Sequence, residues 1–282
     1  MPFFAAVTGF YAAAHFLRHS EQRFLSYAHD RFHRLYIPFM VWSGIYLLVR
    51  VAARYTFADS NMPLIETNVL WTGPSHHLWY IPFAFVASLT TAIYARLPFR
   101  QFTSIAALIF GSVVALTPRP EWMSGYTVSL SYDALPALSW GCAVGIITRG
   151  QLPSSHGFGL IGLSVFLTTV LLLSIVGRVR ALENVAGIAG LFAGRVSVPR
   201  LIALAVPPGR LTYGIYLIHI LFVEGVQKVL RKTGIHSSPF TDVFVFVVGA
   251  SCSWTSTWLL AQSRISWIVG LSSPRRVNSN QS

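Results

Sequence analysis

The sequence predicts an all-α, polytopic membrane helical bundle of about nine transmembrane helices, and three observations predict it. The 282 residues are 54% hydrophobic and only 11% charged, against roughly 25% charged in a soluble domain. Nine windows are apolar over about the length a helix needs to cross ~30 Å of hydrocarbon: 1–17, 35–53, 78–95, 102–117, 130–148, 158–176, 184–206, 211–230 and 243–261. The connections between them are mostly short and collect the basic residues, as the loops of polytopic proteins do. Lipid forces every backbone polar group into internal hydrogen bonds, so these windows are helices. No room remains for a sizeable soluble domain. The membrane domain is expected over 1–263 and a polar tail over 264–282.

The first window, 1–17, is built of small and aromatic residues and ends near His15, which reads as interfacial. The connection that follows, 18–34, is polar and strongly basic. In it Arg31 and Arg34 stand three apart, so on a helical extension they share a face. Two planar guanidinium forks suit a phosphate; the plainer reading is a cluster of loop charges that fixes orientation. Window 35–53 contains Arg50, close enough to its end to snorkel to the interface. The longest connection, 54–77, carries Asp59 and Glu66, and its length suggests a cap over a site.

His76 and His77 head the window 78–95, followed by Trp79 and Tyr80. Aromatic residues favour this level in any membrane protein, but an imidazole here can serve as a general base. Adjacent histidines point their rings apart, so their spacing makes no metal site. Windows 102–117, 130–148 and 158–176 are plainly apolar, with Asp133 near one end of its span. Arg195 interrupts 184–206 and makes it the weakest of the nine. Window 211–230 holds Tyr213, Tyr216, His219 and Glu224, with Tyr216 and His219 at neighbouring helical positions. An ionisable group at membrane depth is costly and marks a functional site, the bland alternative being a neutral histidine bonded between helices.

Assigning the loops alternately to two faces puts Arg18, Arg23, Arg31, Arg34, Arg96, Arg100, Arg149, Arg210, Arg264, Arg275 and Arg276 on one. The other receives Arg54, Arg119, Arg178, Arg180, Arg231 and Lys232. The richer face should be cytoplasmic, which puts the C-terminus inside and the start of the first span outside. The net charge of +12 follows from these loops; no basic patch interleaved with aromatics points to nucleic acid. Cys142 and Cys252 lie inside spans without a CxxC partner and read as apolar filler.

Four segments carry a family resemblance. Phe3 to Gly9, FFAAVTG, is similar to an FFxxSG segment, with Thr8 in place of Ser. Arg31-Phe32-His33-Arg34, followed by Leu35 and Pro38, is similar to an RxxR motif before a span. His77-Leu78-Trp79-Tyr80 is similar to an HLWF-type segment, and Leu211 to His219, LTYGIYLIH, to SYxxYLxH. In this order and spacing they resemble the acyltransferase-3 family of bacterial integral-membrane O-acyltransferases.

The resemblance implies ten helices with both ends cytoplasmic, in the bacterial inner membrane. The first span here would be the family's second. The family's first helix, with a basic residue and an essential histidine eleven positions on, is then expected to be missing; Arg18 and His29 repeat that spacing in a polar loop. The implied donor is acyl-CoA, most simply acetyl-CoA, used as substrate with no bound cofactor, its phosphates against Arg31 and Arg34. The implied acceptor is a hydroxyl of a glycan or lipid-linked saccharide, with membrane lipids around the bundle. His77 and His219 are the catalytic candidates, and His76, Trp79, Tyr80, Tyr213 and Tyr216 line the acceptor side or the path to it. A transporter and an inactive acyltransferase fragment are the competing readings.

Overall fold

The computed structural model describes residues 2–19, 21–57, 73–74, 76–123, 125–151, 156–176, 179–193, 211–235 and 238–270. Among them every regular element is helical. The helices are α1 (Pro2–Arg18), α2 (Phe24–Arg31), α3 (Ile37–Phe57), α4 (Tyr80–Ala95), α5 (Arg100–Leu116), α6 (Tyr126–Ile147), α7 (His156–Val176), α8 (Arg180–Ala193), α9 (Thr212–Lys232) and α10 (Pro239–Gln262). Each of the nine windows coincides with one of them, although the end of 184–206, with Arg195, lies outside the described residues. Among the described residues, five helical segments are long and apolar enough to cross a membrane: Phe24–Tyr55, His77–Ala95, Val128–Ile147, Thr212–Lys232 and Pro239–Gln262. Gln101–Leu116, Leu160–Leu173 and Ala181–Ala193 are apolar but shorter. The protein is a multi-pass helical membrane protein. The expected cap, 54–77, falls mostly outside the described residues.

Two compact units form, one from 1–29 and 83–199, the other from 30–82 and 200–282. In the first, α1 and α6 pack backbone against backbone. A Cβ on Gly9 would strike the Leu138 carbonyl, one on Gly141 the Ala6 carbonyl, and one on Gly145 the Phe10 carbonyl. Small residues four apart let membrane helices approach this closely; Gly141 faces Ala6 and Gly145 faces Phe10 and Ala13, while Gly9 faces Leu138 and Cys142. Pro136 lies inside α6, where its ring disturbs the preceding turn and it has no N–H to give. The fully buried Asn184 of α8 fills the gap. Its Oδ1 accepts from the Ala137 N–H at 2.9 Å and its Nδ2 donates to the Asp133 carbonyl at 3.1 Å. Those two backbone groups would have paired with each other in an unbroken α-helix.

The connection after α1 is more ordered than its polarity suggests. Phe24 and Tyr27 stand three apart on α2, and Tyr27 is buried against Phe16 in a cluster with Ala13, Ala92, Ala95, Cys142 and Ile146. Burial of one aromatic face turns half of the loop into helix.

The second unit is centred on Phe39, Trp42, Tyr46, Leu78, Ile81, Leu217, Ile218 and Val269. Between α2 and α3 the chain makes a π-helical turn, Phe32–Tyr36, in which the Ile37 N–H reaches back to the Phe32 carbonyl. Pro38 explains it. A proline ring crowds the carbonyl four residues earlier, here that of Arg34, and a wider turn makes room. At the start of α10, Ser238 and Thr241 form a reciprocal capping box with Pro239 in the first turn. After α10 the chain folds into a 3-10 turn, Ser266–Val269, whose Ile268 carbonyl accepts from Trp42 Nε1 at 2.9 Å.

Candidate active site

Within the second unit, α3, α9 and the head of α4 bring most of the candidate residues together. His76–Trp79 is a 3-10 turn that runs into α4, so His77 and Tyr80, three apart, face the same way. Both rings meet Tyr216: the centroid separations are 5.6 Å from His77 and 6.2 Å from Tyr80. Tyr216 Oη donates to the His77 carbonyl and so ties α9 to this turn. The His77 ring also stands edge-on to Tyr46 at 5.4 Å and to His219 at 5.2 Å. Tyr46 Oη in turn donates to the Leu217 carbonyl at 2.9 Å.

His219 is the best defined of these groups. Its Nδ1 lies 2.8 Å from the Tyr216 carbonyl and 3.3 Å from that of Ile215. A carbonyl only accepts, so Nδ1 carries the hydrogen. In the neutral ring the lone pair then sits on Nε2. The backbone of α9 thereby sets the tautomer and leaves Nε2 able to take a proton.

The sequence sets His77, Trp79 and Tyr80 at the head of one span and Tyr216 and His219 inside another. The structure makes a single cluster of the buried Tyr80 with the half-buried His77, Tyr216 and His219. Trp79 is only 1% exposed and packs edge-on to Tyr80 at 5.9 Å. The His76 side chain lies outside the described residues. Tyr46 was missed, its only signal in the sequence being a hydroxyl inside an apolar span.

Arg31 closes α2 and Arg34 lies in the π-turn. Arg34 is exposed and Arg31 half-buried. Tyr213 does not join the histidine cluster: its Oη donates to the Leu35 carbonyl at 2.8 Å. The starts of α3 and α9 and the turn after α10 therefore lie together, as the second, eighth and ninth spans must if spans alternate in direction. Tyr46 is ten residues beyond Tyr36, so the cluster sits about 15 Å along α3 from the π-turn.

A two-level arrangement, with arginines at one end of two parallel helices and imidazoles deeper between them, suits a donor with a charged head and a reactive tail. A family model described as an acyltransferase domain matches residues 1–260. The chain belongs to the acyltransferase-3 family. No curated protein and no solved structure matches it. Membership establishes a membrane acyltransferase, and three of the four segments that carry the resemblance, RxxR, HLWY and LTYGIYLIH, lie in the second unit.

Proposed function

We propose that this acyltransferase moves an acyl group, most simply acetyl, from acyl-CoA to a hydroxyl of a glycan or lipid-linked saccharide. In this reading it works in the bacterial inner membrane with its C-terminus cytoplasmic. The observation that carries the proposal is the meeting of His219 of α9 with His77 of the turn before α4, about 15 Å along α3 from the turn that bears Arg34. The guanidiniums hold the phosphates of the donor, and its slender pantetheine arm carries the thioester toward the imidazoles.

At the cluster, Nε2 of His219 takes the proton of the acceptor hydroxyl as its oxygen attacks the thioester carbonyl carbon. The new C–O bond forms, the C–S bond breaks, and the proton passes from His219 to the departing sulfur. His77 orients the acceptor, and the rings of Tyr80 and Tyr216 offer apolar faces to a sugar. General-base help of this kind contributes about 10²–10⁴-fold.

Membranes containing the protein and radiolabelled acetyl-CoA test the reading. Label should enter glycan, and His219→Ala should lower kcat by about 10²–10⁴-fold. Arg31→Ala with Arg34→Ala should raise the acyl-CoA concentration needed. Transport of a saccharide without acylation would replace this reading with the carrier, and full activity in His219→Ala would remove its base.

A further inference from the structure

We infer that Tyr213 and Gly270 are positioning residues for the donor site, locking the π-turn so that Arg34 is held toward the donor phosphates. The inference rests on the phosphate role of Arg31 and Arg34 given above and assigns a task to residues outside that contact.

Four observations meet at this point. Pro38 forces the widened turn and offers no N–H to the Arg34 carbonyl. Tyr213, from the start of α9, donates its hydroxyl to the next carbonyl, that of Leu35. Gly270 then comes in from the far end of the chain, with φ at +75°. A Cβ there would enter the Tyr213 ring and stand 3.2 Å from the Arg34 carbonyl. Trp42 fixes the approach by donating to the Ile268 carbonyl, and Val269 is buried beside it.

A π-turn on its own is a poorly determined element, because a single-turn insertion can slide along a helix. Here two separate stretches, α9 through Tyr213 and the turn after α10 through Gly270, hold it at Leu35 and Arg34. A guanidinium binds phosphate through a planar fork whose direction matters. The backbone that aims Arg34 is therefore part of donor recognition, although neither Tyr213 nor Gly270 touches the donor.

The test is titration of the purified full-length protein in nanodiscs with coenzyme A and, separately, with pantetheine, which lacks the phosphates. Tyr213→Phe keeps the ring and removes only the donated hydrogen bond. It should weaken coenzyme A binding by roughly tenfold, the affinity equivalent of about one hydrogen bond, and leave pantetheine binding unchanged, with no more than the small fall in Tm that losing one hydrogen bond brings. Gly270→Ala, which keeps the Tyr213 hydroxyl, should give the same selective loss. Neither variant should weaken binding further once Arg34 is already Ala. If Arg31→Ala with Arg34→Ala leaves coenzyme A affinity intact, the phosphate reading itself falls. If that pair matters but Tyr213→Phe and Gly270→Ala bind like the parent, only the positioning role falls. Equal loss for coenzyme A and pantetheine also overturns it, since that marks a general distortion.

Discussion

Asn184 should be worth more to this protein than any other single polar side chain in the first unit, and the reason is Pro136. Replacing Asn184 with Ala leaves two buried backbone groups, the Ala137 N–H and the Asp133 carbonyl, without the amide that now bridges them. Leaving a buried group unsatisfied costs about 1–3 kcal/mol in general. Hydrogen bonds between membrane helices average nearer 0.6 kcal/mol because the unfolded chain in lipid finds other partners. Here Pro136 disturbs the turn through which the two groups would pair with each other. The loss should thus approach the general range, about 1–3 kcal/mol, which lowers Tm by roughly 2–10 °C in a protein of this size. The decisive measurement is a cycle. In Pro136→Ala the helix can close its own ladder, so adding Asn184→Ala should cost little or nothing, leaving a coupling of about 1–3 kcal/mol. Thermal or denaturant unfolding of the four proteins in one detergent gives that number. If the two substitutions cost the same together as the sum of their separate effects, the bridging role is refuted.

Gly141→Ala puts a methyl against the Ala6 carbonyl, and backbone cannot give way as a side chain can. The overpacking should cost about 1–3 kcal/mol or more, seen as a lower Tm, and a Tm equal to the parent's would show that α1 and α6 are not in contact. Tyr46→Phe keeps the ring beside His77 but drops the hydrogen bond to Leu217. A loss of about 0.5–1.5 kcal/mol with kcat unchanged is expected, whereas a tenfold fall in kcat would mean that the hydroxyl takes part in the reaction. Asp133→Asn breaks the 3.5 Å pair with Arg119, whose side chains are 42% and 33% exposed (Arg119 and Asp133 respectively). Such a pair contributes under about 1 kcal/mol, so a Tm shift beyond about 4 °C would contradict the geometry.

The nine windows were legible because hydropathy reports a demand of the solvent, and lipid makes that demand on every span alike. The adjacency of Tyr216 and His219 was legible too, since three residues along a helix is a local relation. The meeting of His77 with His219 was not, because it joins two helices far apart in the chain and no spacing encodes it. Nor was the helix at 24–31, whose polarity argued for a loop until Tyr27 found Phe16. Pro38 was visible, yet near the start of a span it reads as an ordinary helix beginning. Only the contacts of Tyr213 and Gly270 show why the widened turn stays in one position. Asn184 left a faint signal, a lone amide in an apolar helix, and its meaning needed the contact with the turn around Pro136 in α6.

The smooth contact between α1 and α6 also bears on how the protein is made. Gly9 leaves the ribosome roughly 130 residues ahead of Gly141. At about 5–20 residues per second, α1 waits in the bilayer on the order of ten seconds for its partner. During that wait its contact face is mostly alanine and glycine. Such a face gives a passing helix few side chains to grip and lipid tails an even surface to cover. Close approach rewards only a helix with matching gaps, so the small-residue stripe that fixes the finished contact also keeps the early helix from settling against the wrong one.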